Sequence, residues 1–267
     1  MARCLTIIVA IWSAIAVAGT SMDSKLDKDH RNYAKNFNGV GILRGAVLSD
    51  QTKIIDGSAV ALNDHWILTA AHVVNFSRKE DLAFYINNKI YDIDMVFIHE
   101  LFDVNDTTSS GDIALCRIRM PLNLKSYHPI YQDSKEIDSF CSILGYGVFG
   151  EVFQFKRTKD YKLRGGTNIV DSIIKDKLIT NFSIQNRTEL EYLIARGDSG
   201  GPLIIDNKIA GIHSFVSGPF DDSTVGTKGF HTRVSIYNNW IKNIIDNNSV
   251  FIPEIKSFKK PWYVFWE

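Results

Sequence analysis

Cysteine is nearly absent from this chain: three residues in 267, at positions 4, 116 and 141. Cys4 falls in an apolar amino-terminal stretch, so a network of disulfides is excluded as a source of rigidity. One bridge, Cys116 to Cys141, can be drawn. Two buried thiols are the preferred reading, since free cysteine behaves as a small buried hydrophobe. Long apolar runs are lacking too. The stretch Leu5 to Val17 covers 13 residues, short of the ~20 that a membrane-crossing helix requires, so no membrane span is expected. Net charge is absent: 30 Lys and Arg balance 30 Asp and Glu, with no long block of one sign. Nucleic acid and anionic membrane surfaces call for a basic field, which excludes both as main partners. His30, His65, His99 and His128 have no partner at metal-ligand spacing. They are read as surface or loop residues, with no metal and no cofactor expected. Internal repeats and low-complexity segments are missing as well.

What is present is enough apolar material, 45% of the residues, to fill a substantial core, and it comes in short runs. Asn38–Arg44, Ser58–Leu62 and Trp66–Thr69 read as strands of antiparallel β structure. Phe84–Ile86 and Ile90–Ile93 flank an asparagine turn, and Leu203–Ile205 and Lys208–Ile212 flank Asp206-Asn207. Both are hairpin signals, because Asn and Asp tolerate positive φ. Asn238–Ile245 has helical spacing. Residues 1–18 read as a secretory leader, with Arg3 ahead of the apolar stretch and Ala16-Val17-Ala18 as a small-residue cleavage site. The protein is therefore expected outside the cytoplasm, extracellular or periplasmic.

Three motifs carry chemistry. Gly197-Asp198-Ser199-Gly200-Gly201-Pro202 sets one serine on a glycine-lined turn before an apolar strand. A serine hydroxyl is a poor nucleophile and needs a base and donors for the oxyanion. Thr69-Ala70-Ala71-His72 supplies a histidine where a strand ends, and Gly111-Asp112-Ile113-Ala114-Leu115 an aspartate about to be buried. A carboxylate on the second ring nitrogen fixes the tautomer of such a base. The order His72, Asp112, Ser199 resembles that of trypsin/chymotrypsin-like serine endopeptidases, over roughly residues 36 to 247.

That resemblance implies an all-β fold of two packed six-stranded antiparallel β-barrels with a C-terminal helix. The expected division is leader 1–18, N-terminal segment 19–37, first barrel 38–125, second barrel 126–235, helix 236–247 and aromatic tail 248–267. It implies catalysis by His72, Asp112 and Ser199, an oxyanion hole from the amides of Gly197 and Ser199, and a protein or peptide substrate. Ser214-Phe215-Val216 would pair with the substrate backbone. Leu193 stands where trypsins carry the aspartate of the primary pocket, so cleavage after Lys or Arg is not expected, and Val216 narrows the entrance. His213 and His231 resemble pocket histidines of bacterial glutamyl endopeptidases, with Arg196 adding positive potential at the rim; this suggests cleavage after acidic residues, and two satisfied core histidines are the alternative. Ile194, where those enzymes carry Ser or Thr, departs from them. Leu193 and Val216 support the competing preference for small aliphatic residues.

In animal members of the family a new terminus reading Ile-Val-Gly-Gly pairs with the residue matching Asp198. Lys53-Ile54-Ile55-Asp56-Gly57 imitates such a site but lies too close to His72 to be one. Three alternatives stay open for Asp198: a terminus produced near Ser24–Arg31, another cation, or an oxyanion hole formed only on binding. The gap also sustains a second class of function, a catalytically weak or toxin-like protease-fold binding protein. The aromatics from Phe251 to Trp266 are read as packing on the barrels, with a partner contact as the alternative.

Overall fold

The computed structural model describes residues 19–21, 26–106, 108–152, 157–182, 185, 187–218 and 224–248. The expected leader, and all of the aromatic tail after Asn248, lie outside these residues. The described residues begin with β1 (Gly19–Ser21) and α1 (Asp27–Ala34). It continues through β2 (Val40–Val47), β3 (Asp50–Ala61), β4 (Trp66–Thr69), the short α2 (Ala71–Val74), β5 (Leu82–Ile86), β6 (Lys89–Ile98) and β7 (Ala114–Ile118). Six of these strands form a closed barrel of order β2-β3-β4-β7-β6-β5.

Next come β8 (Phe140–Gly145), β9 (Phe149–Glu151), β10 (Arg164–Ile174), β11 (Lys177–Asn181) and β12 (Tyr192–Leu193), then β13 (Pro202–Ile205), β14 (Lys208–Ser217), β15 (Lys228–Arg233) and α3 (Asn238–Asn247). A second closed barrel runs β10-β11-β15-β14-β13-β8. All barrel pairings are antiparallel. The protein is thus an all-β double barrel with a C-terminal helix. A third, three-stranded sheet seats β1 between β9 and β12.

Turn chemistry sets the hairpins. Asn87 and Asn88 take φ of 51° and 59°, and Asp206 and Asn207 take 48° and 61°. Two consecutive positive φ values are what a two-residue turn needs to match the twist of its strands. The registers Ile86↔Lys89 and Ile205↔Lys208 follow.

One apolar cluster fills the first barrel, from Val40 through Phe84 to Ile118, and continues to Leu144, Ile204 and Ile212 of the second. Burying a side chain such as Phe84 contributes about 1.5–3 kcal/mol. α3 adds Ile241 to this cluster, with Trp240, Ile244 and Ile245 packed beside it, and the Arg117 guanidinium holds its end through the Asn248 carbonyl at 2.8 Å. The segment between the barrels is fastened at Glu136, a buried carboxylate gripped by Arg233 at 2.7 and 3.0 Å and by Ser235 at 2.8 Å. Burial would raise its pKa, but these donors outweigh that and hold it below the usual range.

Both cysteines are unbridged and buried. Burial pushes the Cys116 thiol up to about 12 and that of Cys141 higher still. The histidines depart from expectation. His65 is exposed, but His30, His99 and His128 are buried. His30 projects from α1 onto the second barrel, its Nδ1 3.0 Å from the Gly165 carbonyl and its ring against Phe149 and Tyr192. His99 packs on Tyr237 and Trp240. Each uses its apolar ring face as core material, which spacing along the chain does not reveal.

Candidate active site

His72 sits on α2, one turn beyond β4, with its side chain 27% exposed. Its Nδ1 lies 2.9 and 3.1 Å from the two carboxylate oxygens of Asp112, and its main-chain amide donates to the same carboxylate at 3.0 Å. Asp112 follows Gly111, whose φ is +78°. The side chain of Asp112 is 2% exposed. Ser214 Oγ donates to its Oδ2 at 2.5 Å. Burial works to raise the Asp112 pKa, yet the His72 and Ser214 donors prevail and hold it below the ordinary value. With Nδ1 committed to an ionised carboxylate, Nε2 is the nitrogen of His72 left to accept a proton.

The Ser199 loop is built against the first barrel by one side chain that the sequence did not single out. Ser58 of β3 donates its amide to the Ser199 carbonyl at 2.7 Å and its hydroxyl to the Gly197 carbonyl at 3.1 Å. The same hydroxyl accepts from the Tyr146 amide at 3.0 Å, and the Ser58 carbonyl accepts from Thr69 Oγ1 at 2.9 Å. Gly200 turns at φ +82°. A Cβ there would lie 2.1 Å from Thr69 Oγ1 and 3.1 Å from the Ala70 nitrogen, so only glycine lets the residue after Ser199 approach the segment leading into His72. The neighbouring amides are engaged: Asp198 with Ala195, Gly200 with His213, Gly201 with Asp198. Among the described residues the amides of Gly197 and Ser199 donate to no protein acceptor, which leaves two adjacent donors beside a partly exposed serine.

Asp198 is wholly buried. Its Oδ1 accepts from the Gly147 amide at 2.8 Å and its Oδ2 from the Ala195 amide at 2.9 Å. Among the described residues it forms no ion pair. Burial pushes its pKa up to about 7, against the pull of the two amides and the more remote Arg164. Residues 27–31 lie in α1, and Gly19 of β1 comes beside the carboxylate: a Cβ on Gly19 would lie 3.2 Å from Asp198 Oδ2. Lys53–Gly57 is internal to β3.

Several of the residues expected at a primary pocket gather around Gly229. A Cβ on that glycine would meet Thr180 Oγ1 at 2.9 Å, Leu193 Cδ1 at 3.1 Å and His231 Nε2 at 3.2 Å, and Val216 faces it across the β14–β15 ladder. Phe215 stacks on Phe230, ring centroids 4.4 Å apart. Ile194 is buried in the second barrel's core with Cys141 and Val170, and Val216 packs on that cluster. Arg196 is exposed. Ser214 points to Asp112, a contact that its place in a strand motif did not suggest.

His213 and His231 are fully buried and touch each other, Nδ1 to Nδ1 at 2.8 Å. His213 Nε2 is 3.1 Å from the Leu144 carbonyl, which can only accept, so Nε2 carries the proton and Nδ1 is the acceptor. His231 then donates from Nδ1 and accepts at Nε2 from the Thr180 hydroxyl at 3.0 Å. Every ring nitrogen is engaged. Burial drives both toward neutrality, His213 well below its usual value and His231 down to about 3.

With this geometry in hand, the trypsin family profile matches residues 46–241. The chain belongs to the trypsin family. Relatives within it include the thrombin-like enzyme CPI-enzyme 2 of Gloydius ussuriensis, 26% identical over 83% of this chain and 84% of its own length. Chymotrypsin-like elastase family member 1 of Canis lupus familiaris is 27% identical over 70% and 80%. Among solved structures, HL collagenase superposes with a TM-score of 0.63 at 21% identity, covering 82% of this chain and 96% of its own. A scabies mite inactivated protease paralogue superposes with 0.59 at 18%, covering 78% and 94%. These structural likenesses carry the fold of the trypsin family. Among the described residues no helix is long and apolar enough to cross a membrane, and no cluster of three or more His, Cys, Asp or Glu could hold a metal ion.

Proposed function

We propose that this protein is a secreted serine endopeptidase in which Ser199 is the nucleophile, His72 the general base and Asp112 its orienting carboxylate. The observation that carries this is the buried Asp112 carboxylate taking three donors, two of them from His72. Ser199 Oγ attacks the scissile carbonyl while its proton passes to His72 Nε2. Asp112 stabilises the imidazolium, which then protonates the leaving amine. The acyl-enzyme is hydrolysed by water through the same base. The amides of Gly197 and Ser199 receive the oxyanion, each donor lowering the barrier by about 3–4 kcal/mol. Labelling with a fluorophosphonate tests the assignment: modification at Ser199, abolished in Ser199→Ala, is expected, and a folded protein that takes no label would overturn it.

For the primary pocket, the neutral, fully engaged His213–His231 pair favours an uncharged side chain. A substrate carboxylate would find no spare N–H there, and burying it unpaired is costly. Leu193 and Val216 present apolar surface on this side, which matches small aliphatic residues before the scissile bond better than charged ones. The acidic preference requires the pair to gain a proton or to surrender its bond to Leu144. A peptide library decides between them: Ala or Val favoured over Glu is expected, and Glu favoured over both would restore the acidic reading. The second class of function, a protease-fold binding protein without activity, has one solved relative described as an inactivated protease paralogue. In this chain all three reactive residues are retained.

A further inference from the structure

We propose that Asp176, Lys177 and Thr232 form a positioning device for Asp112: from the second barrel they grip the main chain of residues 109–112 and so hold the Asp112 carboxylate against His72. This inference rests on reading Asp112 as the orienting carboxylate of the site. The segment they hold is part of a connection, the residues from His99 to Ile113 that join β6 to β7. Connections of this length move more than the strands they link. Asp112 belongs by sequence to the first barrel, yet the bonds that fix the main chain on its amino-terminal side come from the second.

The grip starts at a turn. β10 and β11 are joined by Lys175-Asp176, with Ile174 paired to Lys177 and Lys175 at φ 54°. Hairpin tips ordinarily stand in water, but Asp176 and Lys177 are 4% and 3% exposed. The Asp176 carbonyl accepts from the Arg233 amide at 2.7 Å, which ties the tip to β15. Asp176 Oδ2 accepts from the Gly111 amide at 2.9 Å and from the Tyr237 hydroxyl at 2.7 Å. Lys177 Nζ donates to the Ser109 carbonyl at 3.1 Å, to the Asp176 carboxylate at 3.1 Å and to Thr232 Oγ1 at 3.3 Å. Thr232 in turn donates its hydroxyl proton to the Asp112 carbonyl at 2.9 Å. One short run of main chain is thus held at the Ser109 carbonyl, the Gly111 amide and the Asp112 carbonyl. The ring of His99 faces the cluster across Tyr237, and burial lowers its pKa.

Stability alone does not account for these residue types. Taking an ion pair out of water costs about what its attraction returns, and apolar side chains of similar volume are often as stable or more so. Apolar side chains, however, cannot bond to the main chain of a connection. This cluster can, and it is fully satisfied: the three protons of the Lys177 ammonium meet three acceptor groups. What it fixes is sensitive to small shifts. The His72 amide and Nδ1 both bond the one Asp112 carboxylate, and a displacement of about 1 Å at a reacting group costs on the order of a hundredfold in rate.

The test sets two substitutions of one residue against each other in the full chain. Thr232→Val keeps the shape of the side chain and loses the hydroxyl, whereas Thr232→Ser loses the methyl and keeps the hydroxyl. On a peptide substrate Thr232→Val is expected to lower kcat about tenfold, the scale of one lost hydrogen bond, with KM unchanged. The low-field proton resonance of His72 Nδ1 should move upfield as its bond to Asp112 lengthens. Thr232→Ser should restore both, even where its melting temperature is the lower of the two. Asp176→Leu combined with Lys177→Met removes the other two holds without stranding a charge. Its kcat should fall by about ten- to a hundredfold, with the same movement of the resonance. Unchanged kcat and resonance in Thr232→Val, equal damage in the Val and Ser variants, or a folded double variant altered only in melting temperature would each overturn the proposal. Where the double variant does not fold, the Thr232 pair decides. If the unsubstituted protein neither cleaves peptides nor takes a fluorophosphonate, the catalytic reading fails by itself, and the His72 resonance still decides whether the cluster places Asp112.

Discussion

At Asp112 three donors from two segments meet one carboxylate, and each can be removed separately. Asp112→Asn keeps the shape but offers His72 the wrong tautomer, and kcat should fall by about 10⁴ with little change in KM. Ser214→Ala removes a single hydroxyl bond to a charged acceptor, worth about 1.5–3 kcal/mol, and steady-state kinetics should show a smaller loss, between ten- and a hundredfold. Asp198 makes a prediction in pH. Without a partner its folded pKa, about 7, lies above the ordinary 3.8. The folded state then holds the proton more tightly, and stability present below pH ~4 is lost as pH rises toward 7. Thermal melts across this range should slope downward in the native sequence and stay level in Asp198→Asn, which has no carboxyl to titrate.

The strands and turns repeat a lesson about which information is local. Asn87-Asn88 and Asp206-Asn207 are legible in the sequence because positive φ is a property of the turn residues themselves, and the hairpins came out in the expected places. Asn207 pays a left-handed strain that glycine does not, so Asn207→Gly should raise the melting temperature by a few degrees, about 1 kcal/mol, without altering labelling of Ser199. The motifs around His72, Asp112 and Ser199 are legible for the same reason, as each is a run of adjacent residues. Thr180, which sets the His231 tautomer, and α1, whose His30 serves as core, are not. Their roles arise from partners 51 and 135 positions away in the chain. β1 is the extreme case. Three small residues carry no strand pattern of their own and become a strand only between β9 and β12.

Across the molecule, Ser58 is the point where the halves are joined at the site. Its hydroxyl and amide serve Gly197, Ser199 and Tyr146 from the first barrel. Ser58→Ala should cost about 1–3 kcal/mol of stability for the unsatisfied buried groups it leaves, and should slow Ser199 labelling, because the loop loses its support along with the barrel contact. The expected dependence on core packing rather than on bridges is met by two unpaired, buried thiols. The double barrel was legible through the family resemblance, whereas the clasp between its halves was not, since a lone serine inside a strand has no signature.

The clasp has a kinetic corollary. The amide of Ser58 and that of Gly200 lie on opposite barrels yet close one bonded circuit around Ser199. Neither can meet solvent deuterium unless that circuit opens. In native-state hydrogen exchange the two should therefore report a single opening event with a common protection factor, and Ser199 should belong to the slowest-exchanging unit of the molecule rather than to a mobile surface loop.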